Sequence, residues 1–453
     1  MRKIIALLFS LILLLSNFYI PVSADSASIY KGRDDFIWGM NLHSPAYPSY
    51  KEATLEEQIH LSAELGVKLL RVNISVDNLE WSDKFVELCG AYGIKVMAVV
   101  NLRNESTDYI TFLYQALATR YDGKDGRGKI DFFQLDNEID LYILPKMWGS
   151  MGVNGTKTTE YRVKDLEEFR DKFKAAIAGI KASGSDAETV INFSYHHYGF
   201  LTYMVEQGVD FDILGLDWYD SQGKTIIDDI PSTNNDVIYP GILPDLAEKF
   251  DKDILICESN CMQSDENRFD NSKIDDWQVL LDLMAEAYSF DRCIGFVIYE
   301  LLDEPTHSNI REATLGLIEC DTNGNIGNKK TIYNKIQSGL GGGTLKKITE
   351  SELDFSAYEA IGNNNDDSTE NTEMPEISVS VIENTDTLLE ATVETEDKTE
   401  NSVEPEIITK RINETKTDYA IPWYLVIIFS AVMMLIAGGI CFLVVFLDKK
   451  RNK

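Results

Sequence analysis

Positive charge is scarce in this sequence. Its 453 residues include 42 Lys and Arg against 74 Asp and Glu, which gives a formal net charge of −32. Nucleic acids and other polyanions are bound through clustered Lys and Arg, so this composition argues against them as partners. A neutral or basic partner fits the chain better.

Several catalytic signatures are also missing. The sequence has no Gly-x-Ser-x-Gly nucleophile elbow, no zincin helix, no phosphate loop and no dinucleotide-binding fingerprint. Cysteine is sparse, and its spacing matches neither a disulfide framework nor a zinc pattern, so buried free thiols are expected. No cofactor or metal is expected from these patterns. The six cysteines are Cys89, Cys257, Cys261, Cys293, Cys320 and Cys441.

The N-terminus has the features of a secretory signal peptide. A basic start, Met1-Arg2-Lys3, precedes a short apolar run, and small residues follow at 22–24. This pattern predicts a signal peptide over residues 1–24, with cleavage after Ala24. A first membrane anchor is the alternative, but the run is short for a span of about 20 residues.

The C-terminus contains a long apolar run, 425–447, without a charged residue. That length predicts a transmembrane helix over 421–447, with Trp423 and Tyr424 at its outer edge. The basic residues that follow predict a cytoplasmic tail, 448–453, so the bulk of the chain is expected outside the cell membrane. A buried core helix is the alternative for this run.

An acidic region precedes the apolar run. Between positions 351 and 420 the sequence has 19 Asp and Glu against 4 Lys and Arg, with many Thr, Ser and Asn residues. Such a segment buries too little apolar surface to offset its chain entropy. We therefore interpret residues 341–420 as a solvated stalk.

Residues 25–340 alternate apolar β-type runs with amphipathic helical runs. Thr54 with Glu57 predicts a capping box, and Leu166, Phe169, Phe173, Ile177 and Ile180 share one helix face. Eight strand–helix repeats in about 300 residues predict a (β/α)₈ TIM barrel of the α/β class. An open doubly wound sheet is the alternative, which the missing Gly-rich loop disfavours. The predicted strands are 36–41, 68–74, 94–101, 130–135, 189–194, 212–216, 253–257 and 293–299.

Two glutamates follow strands on opposite sides of this predicted barrel. Glu138 follows the fourth strand and Glu258 the seventh. Catalytic groups of TIM barrels collect at the carboxyl ends of the strands, and carboxylates there are costly unless paired or used. Glycoside cleavage needs two facing carboxyl groups. The sequence therefore predicts a glycosidase site containing Glu138 and Glu258.

Four segments carry a family resemblance. FFQLDNEID and DILICESN resemble the strand-four and strand-seven motifs of the clan A retaining glycoside hydrolases, and the β-galactanase and cellulase-like families look nearest. The resemblance covers residues 35–337 and implies that Glu138 is the acid/base and Glu258 the nucleophile. A retaining mechanism implies carboxyl groups about 5–5.5 Å apart. ILGLDWYD and GFVIYELLDEP resemble the strand-six and strand-eight segments.

The resemblance also implies substrate-binding residues. Asn137 would hold a sugar 2-hydroxyl, Arg71 and Tyr219 would contact the nucleophile, and Tyr299 stands where the clan usually has a sugar-stacking Trp. A Tyr in place of this Trp is expected to change the geometry of the central sugar subsite. Aromatic and imidazole side chains at strand ends add three further candidate ligands, with packing as the alternative role for each: His43, His196 and Trp218.

Three functions compete on this reading. The first is a cell-surface retaining β-glycosidase acting on a poly- or oligosaccharide. The second is a catalytically inactive carbohydrate-binding or adhesion protein on the same barrel, which would not need both Glu138 and Glu258. The third, a barrel hydrolase of acyl or phosphoryl bonds, lacks a nucleophile triad or metal cluster.

Overall fold

A closed barrel of eight parallel strands forms the centre of the molecule, and the predicted (β/α)₈ fold is confirmed. The computed structural model describes residues 32–145, 153–231, 238–261, 274–309 and 312–358, with backbone alone for 274–276. Each strand pairs with its sequence neighbours, and the last pairs with the first. The strands are β1 Ile37–Asn41, β2 Leu69–Asn73, β3 Lys95–Val100, β4 Phe132–Leu135, β5 Glu188–Ser194, β6 Ile213–Asp217, β7 Asp253–Ser259 and β8 Cys293–Ile298.

Helices occupy most of the connections between these strands. Two short antiparallel pairs, Ile230–Pro231 with Ile238–Tyr239 and Ile318–Cys320 with Ile326–Lys329, lie outside the barrel sheet. The helices are α1 Leu55–Leu65, α2 Leu79–Ala91, α3 Thr107–Arg120, α4 Ile139–Ile143, α5 Val163–Ser183, α6 Tyr198–Glu206, α7 Ile242–Lys249, α8 Ile274–Ser289 and α9 Thr331–Leu340.

The helix ends follow local sequence signals, with one correction. Gly66 and Gly184 end α1 and α5 in the left-handed conformation that glycine tolerates. The predicted capping box at Thr54 is wrong, because the Thr54 hydroxyl donates to the Lys51 carbonyl instead. That contact belongs to a 3₁₀ turn, Glu52–Thr54, which directly precedes the helix.

Close contact between α3 and α5 depends on a glycine. The predicted apolar face of α5 is buried throughout. A Cβ atom at Gly179 would lie 2.3 Å from the Thr111 carbonyl oxygen, so only glycine lets the two helices approach this closely.

Side chains on each strand alternate between the barrel interior and the helix-facing core. In β2, Leu70 and Val72 pack in the large outer cluster, whereas Leu69 joins the interior one. Period-two alternation therefore directs Arg71 into the barrel. One interior layer is apolar and fully buried: Leu69, Met97, Phe132, Val190, Ile213, Leu255, Cys257 and Val297.

Strand β7 contains one residue more than its two neighbours at its carboxyl end. Leu216 and Asp217 of β6 pair with Ile256 and Glu258, so Cys257 is the additional residue. The pairing with β8 shifts at the same place. A β-bulge of this kind lets two successive side chains face the same side. Cys257 occupies the interior beside Gly215, where a Cβ would lie 2.9 Å from the Cys257 Sγ, and Glu258 also points inward.

The chain after α9 packs across α1 and α2. Lys347 pairs with Glu57 at 2.6 Å, and the Ile348 amide donates to the Tyr92 hydroxyl. The buried Tyr358 ring then receives the Gly128 amide on its hydroxyl and lies under the Arg120 guanidinium. These contacts hold residues 344–358, the beginning of the predicted stalk, on the barrel.

Several predicted segments lie outside the described residues: the signal peptide 1–24, the stalk beyond 358, the transmembrane helix 421–447 and the tail 448–453. Within the part of the chain that is described, no helix has both the length and the apolar character needed to span a membrane. The expectation of buried free thiols is confirmed for Cys89, Cys257, Cys261 and Cys293, whereas Cys320 is half-buried.

Candidate functional site

Glu138 follows β4 through a turn with unusual backbone conformations. Asp136 and Glu138 both have positive φ, 67° and 46°, which residues other than glycine adopt rarely. The Asp136 carboxylate fixes the turn by accepting the amides of Leu102 and Asn137, each at 2.7 Å. Backbone strain of this kind persists only where surrounding contacts enforce it, and it is common at functional sites.

Glu258 is held from two sides at the end of β7. Its Oε1 lies 2.7 Å from Arg71 Nη1, and its Oε2 accepts the Tyr219 hydroxyl at 2.7 Å. All three side chains are at least nine-tenths buried. Charge-assisted contacts of this length stabilise and orient a carboxylate anion. The structure thus brings together three residues that the sequence predicted to be neighbours.

Arg71 contacts several polar groups inside the barrel. Beyond Glu258, its nitrogens donate to Gln134 Oε1 at 2.7 Å, Asn41 Oδ1 at 2.6 Å and Asn137 Oδ1 at 2.6 Å. The planar guanidinium suits such a set, because its donors have a fixed fork geometry. Burial acts to lower the pKa of this guanidinium, but the nearby anions, Glu258 first among them, raise the pKa above its ordinary value and keep the group charged.

Asn137, directly before Glu138 in the chain, has its side-chain amide orientation fixed by three donors. Its Oδ1 accepts from Arg71, from Asn192 Nδ2 at 2.8 Å and from Gln134 Nε2 at 3.0 Å. With the oxygen used in this way, the amide NH₂ points away from these donors and keeps its own protons for another partner.

The site carries more negative than positive charge. Burial, followed by the charges of Glu258 and Asp140, raises the pKa of Glu138 well above its ordinary value of 4.5. Burial and the charges of Glu258 and Glu138 likewise raise the pKa of Asp217. A carboxyl whose pKa is raised in this way can hold a proton at neutral pH.

His43 and Tyr299 lie on the β1–β8 side of the site. The Tyr299 ring meets Tyr219 edge-on at 6.1 Å and His43 at 5.6 Å, so both belong to the same wall. His43 Nε2 lies 3.1 Å from Glu300 Oε2. Of the described residues, His43, Glu300 and Glu304 have ligand atoms within 4.8 Å of one another and could hold a cation.

His196 and Trp218 lie in an aromatic cluster beyond β5 and β6. The His196 ring is fully buried, stacks on Tyr239 at 4.6 Å and meets Trp218 edge-on at 5.5 Å. Trp218 is also buried and donates its indole N–H to the Gly223 carbonyl. A sugar could contact either ring only if the neighbouring side chains that bury it moved aside. Ligand binding by His196 and Trp218 therefore stays a prediction.

Sequence reasoning missed several polar residues of the site. Asn192 links Asn137, Asp217 and the Glu138 amide, and Gln134 links Arg71 to the turn after β4. The available signal was a polar residue at an interior position of an otherwise apolar strand, as in FFQL and VINF.

Comparison with solved structures supports the fold. β-Glucosidase from Thermotoga maritima in complex with glucoimidazole has 13% identity and a TM-score of 0.52, over 70% of this chain and 100% of that one. This likeness shows that the two proteins share a fold. Virulence factor SghA from Agrobacterium tumefaciens has 14% identity and a TM-score of 0.48, over 70% and 98%. No family model and no curated protein matches the sequence. The resemblance to the clan A hydrolases is confirmed at the level of the fold.

Proposed function

We propose that this protein is a retaining glycoside hydrolase with Glu258 as nucleophile and Glu138 as acid/base. One observation carries the proposal: two carboxyl groups that act on each other electrostatically lie in contrasting environments. Glu258 is held as an anion by Arg71 and Tyr219, whereas burial and the Glu258 charge favour the protonated form of Glu138. Facing carboxyl groups kept in different protonation states are what double displacement needs.

The reaction proceeds through two displacements. In the first, a Glu258 oxygen attacks the anomeric carbon while Glu138 gives its proton to the glycosidic oxygen, so the bond to the leaving group breaks as the glycosyl–enzyme bond forms. In the second, Glu138 removes a proton from water, and the resulting oxygen displaces Glu258. Both glutamates return to their starting protonation states.

Asn137 supplies orientation in this mechanism. Its oxygen is occupied by Arg71, Asn192 and Gln134, so its NH₂ can donate to the 2-hydroxyl of the sugar that reacts. Hydrogen bonds to this hydroxyl strengthen in the transition state and lower the barrier. Tyr299 and His43 form the adjoining wall, which we assign to the same sugar unit.

The substrate we propose is a β-linked poly- or oligosaccharide outside the cell. Support for the location comes from the predicted signal peptide 1–24 and apolar run 425–447, and an acidic surface does not oppose a neutral sugar. The shared barrel fold agrees with this substrate class, but one fold hosts many activities, so the site carries the argument.

The test uses the full-length protein in detergent against soluble β-glycans and aryl β-glycosides. We expect new reducing ends from one polymer, the β-anomer as the first product by NMR, and loss of at least a thousandfold in kcat for Glu138→Gln and Glu258→Gln. Azide supplied to Glu258→Ala should restore turnover and give an inverted glycosyl azide, because azide occupies the space of the nucleophile.

A result of binding without cleavage would change the conclusion. If the wild type retains a glycan in isothermal titration calorimetry yet cleaves none of the panel, the protein is a surface carbohydrate receptor on a hydrolase barrel. An α-anomer as the first product from a β-linked substrate would instead replace retention with inversion.

A further inference from the structure

Asn192 on β5 makes hydrogen bonds to three parts of the candidate site. Its side chain is buried, and its Oδ1 accepts the backbone amide of Glu138 at 3.1 Å. Its Nδ2 donates to Asn137 Oδ1 at 2.8 Å and to Asp217 Oδ2 at 2.6 Å. Both protons of this buried amide therefore have acceptors inside the barrel, as buried polar groups require.

The orientation of the Asn192 amide is decided by groups that can only donate. Arg71 Nη2 donates to Asn137 Oδ1, so the Asn137 atom that faces Asn192 is an oxygen and requires the Asn192 NH₂ opposite it. The Glu138 backbone amide is also only a donor, and it requires the Asn192 oxygen. Both requirements give the same orientation. An exchange of the Asn192 oxygen and nitrogen would break the hydrogen bonds to Asn137 and Glu138.

The Glu138 amide depends on an acceptor outside its own helix. Glu138 is the N-cap of α4 and has a left-handed backbone conformation, with φ 46° and ψ 48°. The amide of an N-cap residue makes no hydrogen bond within the helix that it begins. Asn192, on a neighbouring strand, supplies the acceptor. Its contact is thus one of those that enforce an uncommon conformation at the candidate acid/base.

The neighbouring strand leaves room for the Asn192 side chain. Gly215 on β6 is the Cα partner of Asn192, and a Cβ atom at Gly215 would lie 2.8 Å from the Asn192 Cβ. Carbon atoms in a packed interior do not approach so closely, so a larger residue at position 215 would displace Asn192. The place of Asn192 is therefore set by packing as well as by hydrogen bonds.

We propose that Asn192 is a positioning residue that holds the acid/base and the 2-hydroxyl donor in one fixed arrangement. Its oxygen fixes the backbone from which the Glu138 side chain extends. Its NH₂ holds the Asn137 oxygen, which leaves the Asn137 NH₂ for the sugar. The catalytic roles of Glu138 and Asn137 rest on the proposed function, whereas the hydrogen bonds of Asn192 do not.

Two substitutions separate the two edges of this amide. Asn192→Leu keeps the shape and removes the polar atoms, so it leaves the Glu138 amide without its acceptor. We expect kcat/KM to fall about a hundredfold for a phenyl β-glycoside, because the acid/base is misplaced. For the dinitrophenyl glycoside of the same sugar we expect a fall of only about tenfold, because that leaving group departs without a proton from Glu138.

Asn192→Asp keeps an acceptor for the Glu138 amide and places a second acceptor against the Asn137 oxygen. The two leaving groups should therefore lose kcat/KM by similar factors. The preference for a glycoside over its 2-deoxy analogue should fall about tenfold, because the Asn137 amide is no longer held with its NH₂ toward the 2-hydroxyl.

Thr189 provides a matched control on the same strand. It is buried, and its hydroxyl and amide donate to Asp212 Oδ2 at 2.7 and 2.8 Å, but it lies near the amino end of β5. Thr189→Val removes the hydroxyl and should lower the melting temperature while both substrate preferences stay at their wild-type values. Equal changes of leaving-group dependence in Thr189→Val and Asn192→Leu would overturn the proposal, since general loosening of β5 would explain both.

Amide hydrogen exchange tests the positioning of Glu138 without turnover. In the full-length protein, ¹³C at Asn carbonyls with ¹⁵N at Glu amides selects Glu residues that directly follow an Asn: Glu105, Glu138 and Glu414. The Glu138 signal is assigned by its loss in Glu138→Gln. We expect its exchange to be about tenfold faster in Asn192→Leu than in the wild type and Asn192→Asp, with Glu105 unchanged as an internal reference.

The outcomes keep this proposal distinct from the proposed function. Faster exchange of Glu138 in Asn192→Leu supports the positioning role even if the wild type cleaves no glycan. Unchanged exchange overturns it, whether or not the wild type is an active glycosidase. Asn192→Ala carries the same expectation and replaces Asn192→Leu if that variant does not fold.

Discussion

Two layers of the barrel interior differ in chemistry although the same strands build them. The lower layer, nearer the amino ends of the strands, contains Leu69, Phe132 and Val190 and is apolar and fully buried. Two residues further along the same strands, the upper layer presents Arg71, Gln134 and Asn192, joined by hydrogen bonds. The lower layer supplies stability by excluding water, whereas the upper layer holds charge at a cost in stability. Stability and function are therefore separated by one step of the strand alternation.

The largest effect on stability and activity is expected at Arg71, because its replacement removes the cation that contacts the polar side chains of the upper layer. Arg71→Met leaves the buried Glu258 carboxylate without its cation, which should cost about 3–5 kcal/mol of unfolding free energy. Activity should fall by more than a hundredfold even where the variant is fully folded, because the nucleophile is no longer fixed. Urea unfolding and kinetics on the same sample check both effects.

Arg127 provides a matched control for that variant. It is also buried and pairs with Asp122 at 3.0 Å, but it lies in the connection between α3 and β4, ahead of β4. Arg127→Met should lose stability and keep kcat. Equal loss of activity in both variants would contradict the division between the layers.

A cavity in the lower layer should affect stability alone. Ile213 is fully buried in the interior of β6, and Ile213→Ala should lower the unfolding free energy by about 2–5 kcal/mol. Because its neighbours in this layer are apolar, kcat measured well below the melting temperature should be within a few-fold of the wild type. A kcat loss comparable to that of Arg71→Met would show that the site depends directly on packing beneath it.

The aromatic cluster around His196 should make the free energy of unfolding depend on pH. Burial lowers the pKa of His196 to about 4, from an ordinary value of 6.5. As the pH falls, His196 therefore binds a proton in the unfolded chain before it does so in the folded protein. The free energy of unfolding that is present above pH 6.5 is lost as the pH falls toward 4, by at most about 3 kcal/mol. His196→Phe should reduce that loss in unfolding curves at pH 7 and pH 5.

His60 on α1 serves as the comparison for this variant. It lies near Glu64, with its Nε2 3.5 Å from the carboxylate, and is partly exposed. His60→Gln should retain the acid-dependent loss that belongs to His196. If His196→Phe and the wild type lose equal stability between these pH values, the ring is not buried in its neutral form.

The smallest expected effect is a gain in stability in the upper layer. The raised pKa of Asp217 means that its ionisation is disfavoured in the folded protein. Asp217→Asn should therefore raise the melting temperature by a few degrees at pH 7, and the gain should vanish below about pH 3.8, where the unfolded carboxyl is also protonated. Differential scanning calorimetry across pH tests this window.

Asp83 provides a control for this variant, because it is a buried aspartate with an arginine partner. Its two oxygens accept from Arg120 at 2.8 and 2.6 Å. Asp83→Asn should lower the melting temperature at pH 7, because it leaves a partly buried guanidinium without its anion. A loss of stability in Asp217→Asn as well would mean that Asp217 is needed in its charged form.

Strand positions were predictable because buried parallel strands are apolar runs of a recognisable length. Each predicted strand overlaps the observed one. Glu138 and Tyr219 follow β4 and β6, and Arg71 lies on β2, as the sequence predicted. The contacts of Asn192 with residues of β4 and β6 could not be predicted, since they join side chains far apart in the chain. Likewise the contact of Gln222 Oε1 with the Tyr219 amide depends on a turn, Tyr219 to Gln222, whose geometry the sequence does not specify.

The direction of Glu258 could not be derived from strand alternation either. Leu255 and Cys257 face the interior, so a period of two would direct Glu258 toward the helices. The bulge at Cys257 reverses that outcome. The sequence placed this glutamate in the pocket from its position after the seventh predicted strand and from the motif resemblance, and its role stays a prediction.

The bulge also means that one residue of β7 adds to the packing of the barrel without deciding the direction of the carboxylate. Deletion of Cys257 would restore regular pairing between β6 and β7, and Glu258, then directly after the outward-facing Ile256, would still face the interior. A lineage could thus gain or lose this codon and keep its second carboxylate in place. The event would be recorded only in the packing beneath the site.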